Sequence, residues 1–396
     1  MPILFGVVLI DLIGFGIVIP ILPFLSPQLG ADNVDIALII VTYAACAGIF
    51  GPFWGKLSDR RGRKPVIMIC LAGASLSYVM LGLATELWMI FLARGFAGVM
   101  AGNFGVASAM MADVTTPETR AKGMGLIGAA FGLGMVLGPL MGGLLAGDSG
   151  SFTLPCIFAG LMSVLAIIAA AKFLPESLSP EKQAANRAQQ KSPERESTLK
   201  VLKNSGNRLF VFQYVVHNAG VSSATYMFPL WVAEVLDWTA KEVGIIFGVQ
   251  GIIMVAMQGG ALGALVKLFG EWRILLVAIA LFLSGLLLAV FAWSMPTMIA
   301  SMFISMTGAT LCMPLLNTLI THRTPASYRG RIMGTTAAAS SWGRVFGPAF
   351  TGFNLAWFGY SAAWAACAVI VAFYLAWALR ESALEKNRSL TLRRNQ

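Results

Sequence analysis

The chain has 396 residues, of which 57% are hydrophobic and only 12% are charged, and its mean hydropathy is +0.77. A soluble domain carries about a quarter charged residues, so this composition excludes a soluble globular protein and indicates that most of the apolar surface faces lipid. The net charge of +10 suggests a nucleic-acid partner only until the positions of the charges are considered.

Apolar runs long enough to cross a bilayer, roughly 20 residues each, recur along the chain, and we number them spans 1 to 12. Spans 1 to 6 lie at Ile3–Leu25, Val34–Leu57, Val66–Ala84, Trp88–Ala112, Gly123–Ala146 and Phe152–Leu174. Spans 7 to 12 lie at Leu209–Val235, Val243–Val266, Ile274–Trp293, Thr297–Thr321, Ile332–Trp357 and Ser361–Leu379. Their length predicts helices, since the strands of outer-membrane barrels are short and alternate in polarity.

The predicted fold is an all-α integral membrane protein with twelve transmembrane helices in two pseudo-symmetric six-helix bundles. The bundles occupy residues 1–175 and 208–380. A polar stretch at 176–207, rich in Glu, Gln, Ser and Lys and without apolar periodicity, is predicted to be a cytoplasmic linker. Residues 381–396 form the predicted tail. We expect no cleavable signal peptide, because span 1 lacks a charged start and a small-residue cleavage site.

The basic residues predict the orientation in the membrane. If the N-terminus is cytoplasmic, every Lys and Arg except Arg94, Lys241 and Arg344 lies on the cytoplasmic side or in the linker and tail. Positive charge is concentrated on that side of inner-membrane proteins. We therefore expect a multi-pass protein of the bacterial inner membrane with both termini in the cytoplasm. The basic pI is then a topology signal, and no nucleic-acid partner is expected.

The two halves share an internal repeat with an offset of about 209 residues. Residues 120–143 read RAKGMGLIGAAFGLGMVLGPLMGG, and residues 329–352 read RGRIMGTTAAASSWGRVFGPAFTG, with matching Arg, Gly and Pro positions. Pro20 of span 1 falls on Pro229 of span 7 at the same offset. Duplicated halves suit a carrier whose substrate site lies between them near the membrane midplane.

Four segments carry a resemblance to a known family. They read GKLSDRRGRKP at 55–65, GAAFGLGMVLGPLMGG at 128–143, DLIGFGIVIPILP at 11–23 and RGFAG at 94–98. The first resembles the signature loop of the major facilitator superfamily, and the second resembles the helix motif of its exchangers. Together the four are similar to the twelve-helix drug:proton antiporters, of which tetracycline efflux proteins are the nearest type.

The signature loop joins spans 2 and 3, where Gly62 permits a tight turn. The resemblance implies that Asp59 faces the N-terminus of span 11 and that Arg63 pairs with Asp113 at the end of span 4. With Gly55, these residues would form a latch that closes the two halves on the inside. The alternative is that the loop is a topology signal and nothing more.

Span 5 is rich in glycine, which allows close approach of helix backbones, and its proline removes a backbone hydrogen bond. The resemblance implies a helix at the interface between the halves that also seals against proton leak. Generic packing of small residues is the alternative. The residues of this antiporter helix motif are Gly128, Gly134, Gly138, Pro139, Gly142 and Gly143.

Charges inside a membrane are costly and are therefore functional candidates. Asp11 in span 1 is the predicted proton carrier, because a carboxylate can bind and release a proton whereas the guanidinium of Arg94 in span 4 stays charged. Arg94 is expected to respond to the state of Asp11 or to a neighbouring carbonyl. The alternative is a static Asp11–Arg94 pair that braces spans 1 and 4.

Arg344 lies roughly 18 Å into span 11 at 1.5 Å per residue, close to the midplane. We hypothesise that it meets a negative group on an anionic or zwitterionic substrate; the alternative is that it pairs with Asp11 or with backbone carbonyls. Further candidates for the substrate cavity are His217, Asn218, Tyr214, Gln250, Asn317 and Trp342. A lone histidine such as His217 also fits a simple hydrogen-bonding role.

The chain has no P-loop, no Ser/His/Asp constellation and no metal-ligand cluster, so an enzyme is not expected. The five cysteines have no paired spacing and are interpreted as small core residues. We expect a monomer, embedded in membrane lipid, that binds a small-molecule substrate and protons, needs no cofactor and is driven by the proton gradient. The leading function is proton-coupled export of small amphipathic compounds or drugs. The alternative is a dedicated exporter of an endogenous metabolite such as a siderophore, sugar or lipid-linked precursor.

Overall fold

The computed structural model of the protein describes residues 2–116, 119–147, 151–181, 183–184, 205–324 and 329–394. Within these ranges the chain is almost entirely helical and contains no strand. The first helices are α1 (Pro2–Gln28), α2 (Asn33–Arg61), α3 (Arg63–Gly82), α4 (Leu87–Val99), α5 (Asn103–Asp113), α6 (Arg120–Ala146) and α7 (Thr153–Phe173). The later ones are α8 (Ser205–Leu236), α9 (Ala240–Ala256), α10 (Leu262–Phe269), α11 (Glu271–Val290), α12 (Met295–Arg323) and α13 (Arg329–Arg394).

The described helices fit the predicted set of membrane crossings. By length and apolar composition, 10 helical stretches could cross a membrane. One of them, Ile332–Glu385, has 54 residues and bends at Gly359, whose φ is 76°, so it supplies two crossings. Helix α8 coincides with predicted span 7 and, with 32 residues, is long enough for one more crossing. The all-α integral membrane fold is thereby confirmed, and the crossings are consistent with twelve.

Contacts divide the chain into two compact units. Unit 1 comprises Met1–Glu196 and Pro229–Val255, and unit 2 comprises Ser197–Phe228 and Ala256–Gln396. The predicted domain boundaries follow the sequence repeat rather than these contacts, and they stay a prediction. Most of the predicted linker at 176–207 lies outside the described residues.

Two predicted spans are interrupted helices. Span 4 breaks between α4 and α5, at residues 100–102. Span 8 contains a π-helix, Met257–Ala261, between α9 and α10. Such interruptions leave backbone groups without their usual helical partners and occur often at functional sites.

The turn between α2 and α3 is tighter than the sequence predicts. Helix α2 extends to Arg61 and α3 begins at Arg63, so Gly62 alone connects them. Its φ of 104° lies in a region that favours glycine, because a side chain there would strain the backbone.

Helix α1 is central to unit 1 and packs mainly on α6 and α7. Two apolar clusters follow each other along it. One includes Leu4 and Leu12 and the other begins with Ile13. Asp11 lies at the junction of these clusters, so a carboxylate is placed in the apolar interior of the unit.

Candidate functional site

Asp11 on α1 is buried, with 8% of its surface exposed. Its carboxylate oxygen Oδ2 accepts a hydrogen bond from the side-chain amide Nδ2 of Asn103, the first residue of α5. A small cavity of about 10 Å³ adjoins the pair, roughly the volume that one water molecule requires. A buried carboxylate with a neutral donor and adjoining space is an arrangement that can gain and lose a proton.

Arg94 on α4 is also buried, with 6% exposed. Its guanidinium carbon lies 4.3 Å from the centre of the Tyr43 ring on α2, a cation–π geometry. Although both side chains are described, the structure contains no Asp11–Arg94 ion pair, so the static pair considered from the sequence is not present. Tyr78 on α3 interacts electrostatically with both Asp11 and Arg94.

The second candidate site is the signature-loop cluster, which we define as Ser58, Asp59, Arg63, Asp113 and Glu176. Arg63 donates from Nε to Oδ2 of Asp113 at 3.0 Å and from Nη1 to the hydroxyl of Ser58 at 2.7 Å. Its Nη1 also lies 2.7 Å from Oδ1 of Asp59. The Arg63–Asp113 pair that the resemblance implies is therefore present within unit 1.

Glu176 completes this cluster from the segment after α7. Its carboxylate accepts hydrogen bonds from the backbone N–H groups of Arg63 (2.9 Å) and Lys64 (3.0 Å) at the start of α3. A carboxylate at this position satisfies free N–H groups and stabilises the positive end of the helix dipole. A side chain at Gly62 would collide with the same carboxylate, whereas Gly55 faces open space.

The glycines of α6 form a close seam with α1. A methyl group added to Gly16 of α1 would lie 2.9 Å from both the Gly134 carbonyl oxygen and the Gly138 Cα, and 3.0 Å from Pro139 Cδ. Gly142 packs against the backbone of Ile17 in the same way. These contacts require glycine because there is no room for a side chain.

Gly143 points to a different neighbour. A methyl group there would lie 2.9 Å from the Cα of Gly244 on α9, so α6 also packs closely on a helix from the second half of the sequence, within unit 1. A methyl group added to Gly128, the first residue of the predicted motif, would have nothing within 4 Å. The motif thus contains both tightly packed and open glycines.

Three of the predicted cavity residues come together in unit 2. The hydroxyl of Tyr214 donates to Oδ1 of Asn317 at 2.7 Å, and Nδ2 of Asn218 donates to the Tyr214 carbonyl at 2.9 Å. His217 instead lies inside the unit, with its ring centre 6.1 Å from those of both Phe282 and Tyr374.

The other predicted cavity residues are spread out. Arg344 is exposed and donates from Nη2 to the hydroxyl of Ser341 at 3.0 Å. Trp342 is 44% exposed and stacks on Phe346. Gln250 belongs to unit 1 and is buried. The hypothesis that Arg344 meets an anionic group stays a prediction.

Unit 2 contains an ionic cluster that no sequence pattern indicates. Arg323 at the end of α12 lies 2.9 Å from Glu381 and 2.5 Å from Glu385 on α13. Its guanidinium also lies 4.7 Å from the ring centre of Phe210. The two glutamates fall in the predicted tail, which in the structure continues α13 as far as Arg394.

Sequence reasoning also missed Asn103, Tyr43 and Glu176. One signal was available for Asn103: Gly102 and Asn103 are adjacent residues of low helix propensity inside an otherwise apolar span. Tyr43 and Glu176 gave no such signal, because their roles depend on neighbours distant in sequence. All five cysteines are free thiols, and in the part of the chain that the structure describes no cluster of His, Cys, Asp and Glu could hold a metal ion.

Comparison with known proteins places this architecture. The family model described as Major Facilitator Superfamily matches residues 4–283 and 210–394. The chain belongs to the Major Facilitator Superfamily. It is therefore a multi-pass inner-membrane transporter that binds a small-molecule substrate, and not an enzyme.

Individual relatives refine this placement. The chain is 31% identical over 346 residues to the tetracycline resistance protein, class E, of Escherichia coli, covering 86% of this chain and 84% of the relative. It is 28% identical over 359 residues to multidrug resistance protein 2 of Bacillus subtilis (strain 168), covering 88% and 87%. A solved bacterial homolog of the human lysosomal transporter Spinster superposes with a TM-score of 0.78 at 15% identity, covering 96% of each chain, which supports the fold alone.

Proposed function

We propose that the protein is a proton-coupled antiporter that exports small amphipathic compounds or drugs across the inner membrane by alternating access. The observation that carries this proposal is the buried carboxylate of Asp11, which lies in a membrane-spanning helix with a neutral donor beside it. A titratable acid at such a position is costly unless it is used. Similarity to tetracycline and multidrug resistance proteins supports the choice of drug-like substrates.

The signature-loop cluster supports a latch in this cycle. Arg63 is held by Asp59, Asp113 and Ser58 at distances of 2.7–3.0 Å, and this end of the molecule is proposed to be cytoplasmic together with both termini. Arg63 is buried, whereas its partners Asp59 and Asp113 are partly exposed, so water can solvate the two carboxylates when the cluster opens in each cycle. The seam between α6 and α1 adds close, glycine-lined helix packing in the same unit.

Arg344 is proposed to select the charge of the substrate. Its side chain is exposed on the helix before Gly359 and is held by the Ser341 hydroxyl. An arginine in a membrane-spanning helix favours anionic or zwitterionic groups. The Tyr214–Asn317–Asn218 group adds hydrogen-bonding capacity within unit 2.

Inside-out membrane vesicles with an acid interior provide the test. A pH-sensitive dye reports the gradient while cationic, zwitterionic and anionic compounds, including tetracyclines, are added one at a time. Some compound is expected to dissipate the gradient with wild-type protein. Asp11→Asn should reduce this to the level of vesicles without the protein, because an amide cannot carry the proton. Glu86→Gln, which alters an exposed carboxylate, is the matched control and should behave as wild type.

The outcomes separate the parts of the proposal. If no compound in a broad panel dissipates the gradient, proton-coupled drug export is wrong. If Asp11→Asn retains full exchange, another group carries the proton. The charge of the active compounds, measured again with Arg344→Gln, tests the role of Arg344, since a selective loss of anionic compounds is expected.

A further inference from the structure

The break in span 4 is held in place by side-chain contacts within unit 1. The carbonyl oxygen of Val99, at the end of α4, accepts a hydrogen bond of 2.5 Å from the indole Nε1 of Trp54 on α2. Gly102 lies flat against the same indole, and a methyl group there would be 2.5 Å from Trp54 Cβ and Cγ. A carbonyl freed inside a membrane is costly unless it is paired, and Trp54 pairs it. The break is therefore stabilised by specific side-chain contacts.

The break also provides a free donor at the start of α5. The first N–H groups of a helix have no partner within it. The backbone N–H of Phe104 donates to Oδ1 of Asn103 at 3.0 Å. With its oxygen held in this way, the amide of Asn103 directs its NH₂ group towards Asp11, to whose Oδ2 it donates. The break thus decides which end of the amide faces the carboxylate.

The surroundings of Asp11 contain few other charged or titratable groups. Cys70 and Tyr78 on α3 interact with it electrostatically. Helix α6, the main neighbour of α1, has no titratable residue between Gly123 and Ala146. Arg94 and Tyr43 face each other. Among the described residues, Asn103 is the side chain that donates a hydrogen bond to the Asp11 carboxylate.

We propose that Asn103 is a positioning residue for proton coupling, which the break in span 4 orients so that its amide holds the ionised carboxylate of Asp11. A hydrogen bond donated to the charged form stabilises that form. A neutral amide does so without the strong attraction of a cation, so the carboxylate can still be reprotonated in each cycle. This inference rests on the proposed function, because Asp11 matters for coupling only if protons are exchanged.

The test measures protonation of Asp11 without requiring transport. Dicyclohexylcarbodiimide reacts with protonated carboxyl groups in apolar surroundings, and mass spectrometry quantifies the labelled Asp11 peptide as pH is varied in purified protein. Asn103→Leu has a similar volume but no donor. It should shift the midpoint of labelling to higher pH by about one to two units, the value of one hydrogen bond to a charged group. The pH profile of gradient-driven exchange should shift in the same direction.

Two controls keep the test decisive. Asn354→Leu makes the same change in unit 2, at an asparagine that donates to Phe350 O of its own helix at 2.8 Å, and should leave the midpoint unchanged. Asn103→Ala replaces Asn103→Leu if the latter does not accumulate. An unchanged labelling midpoint in a folded Asn103 variant overturns the inference. A shifted midpoint in a protein that exchanges protons with no compound supports the role of Asn103 and rejects the proposed function instead.

Discussion

Spans 4 and 10 occupy equivalent positions in the two halves, yet only span 4 is broken. In unit 1, α4 and α5 are separate helices with Asn103 beside Asp11. In unit 2, α12 runs unbroken from Met295 to Arg323. The repeat offset of about 209 residues places Gly220 where unit 1 has Asp11 and Cys312 where it has Asn103. The polar pair and the break therefore occur together in one half.

The packing around these equivalent positions also differs. A methyl group at Gly220 would lie 3.0 Å from Phe282 Cζ and 3.1 Å from Val371 Cγ2. The thiol of Cys312 lies 3.4 Å from the carbonyl of Gly308 in its own helix. Because unit 2 has Gly220 in place of Asp11, α12 has no buried carboxylate to pair at this position and runs without a break. The helical scaffold is therefore repeated in both halves, whereas the buried carboxylate with its amide donor belongs to the first half.

Placing the acid of unit 1 at the equivalent position of unit 2 should have the largest effect. Gly220→Asp would bury a carboxylate against Phe282 and Val371 with no amide donor in place. The free energy of unfolding is expected to fall by about 3 kcal/mol or more, because an unpaired charge in a membrane helix is costly. The yield of monodisperse protein in size-exclusion chromatography should fall sharply. Gly220→Ala, which adds only a methyl group, should cost about 1 kcal/mol; a wild-type yield for Gly220→Asp would contradict the comparison.

Substitutions at Gly102 and Gly105, three residues apart, test whether the Trp54 contact stabilises the break. Gly102→Ala forces a methyl group into the Trp54 indole, and this overpacking should cost about 1–3 kcal/mol. Gly105→Ala, where nothing lies within 4 Å, is the matched control and should not destabilise. The midpoints of thermal unfolding in detergent measure both. Equal midpoints for the two variants would mean that the Trp54 contact does not stabilise the break.

The smallest effect is expected at the buried histidine of unit 2. His217 lies among aromatic rings, and its Nδ1 has no hydrogen-bond partner in the described residues. His217→Leu removes that unpaired atom, so the unfolding midpoint should stay equal or rise slightly. The pH midpoint of exchange should not move. A shifted pH profile in this variant would show that unit 2 also contains a coupling group.

The ionic clusters of the two units differ in a similar way. In unit 1, Arg63 lies in the signature loop, and the resemblance pairs it with Asp113 at the end of span 4, so this contact could be predicted. In unit 2, Arg323 pairs with Glu381 and Glu385, and no motif marks these residues. The Arg63–Asp113 pair is one that the resemblance names, whereas the contacts of Arg323 depend on how α12 and α13 pack.

The membrane class, the positions of the spans, the close packing of the span 5 glycines and the buried charged candidates could all be read from the sequence. Each of these follows from hydrophobic length, composition or a local motif. The hydrogen bond between Asp11 and Asn103 and the cation–π contact between Arg94 and Tyr43 are evident only in the tertiary structure. Those contacts depend on the rotation of each helix about its axis and on a break of three residues in span 4. Such features arise from packing between residues far apart in the chain, which periodicity and composition do not encode.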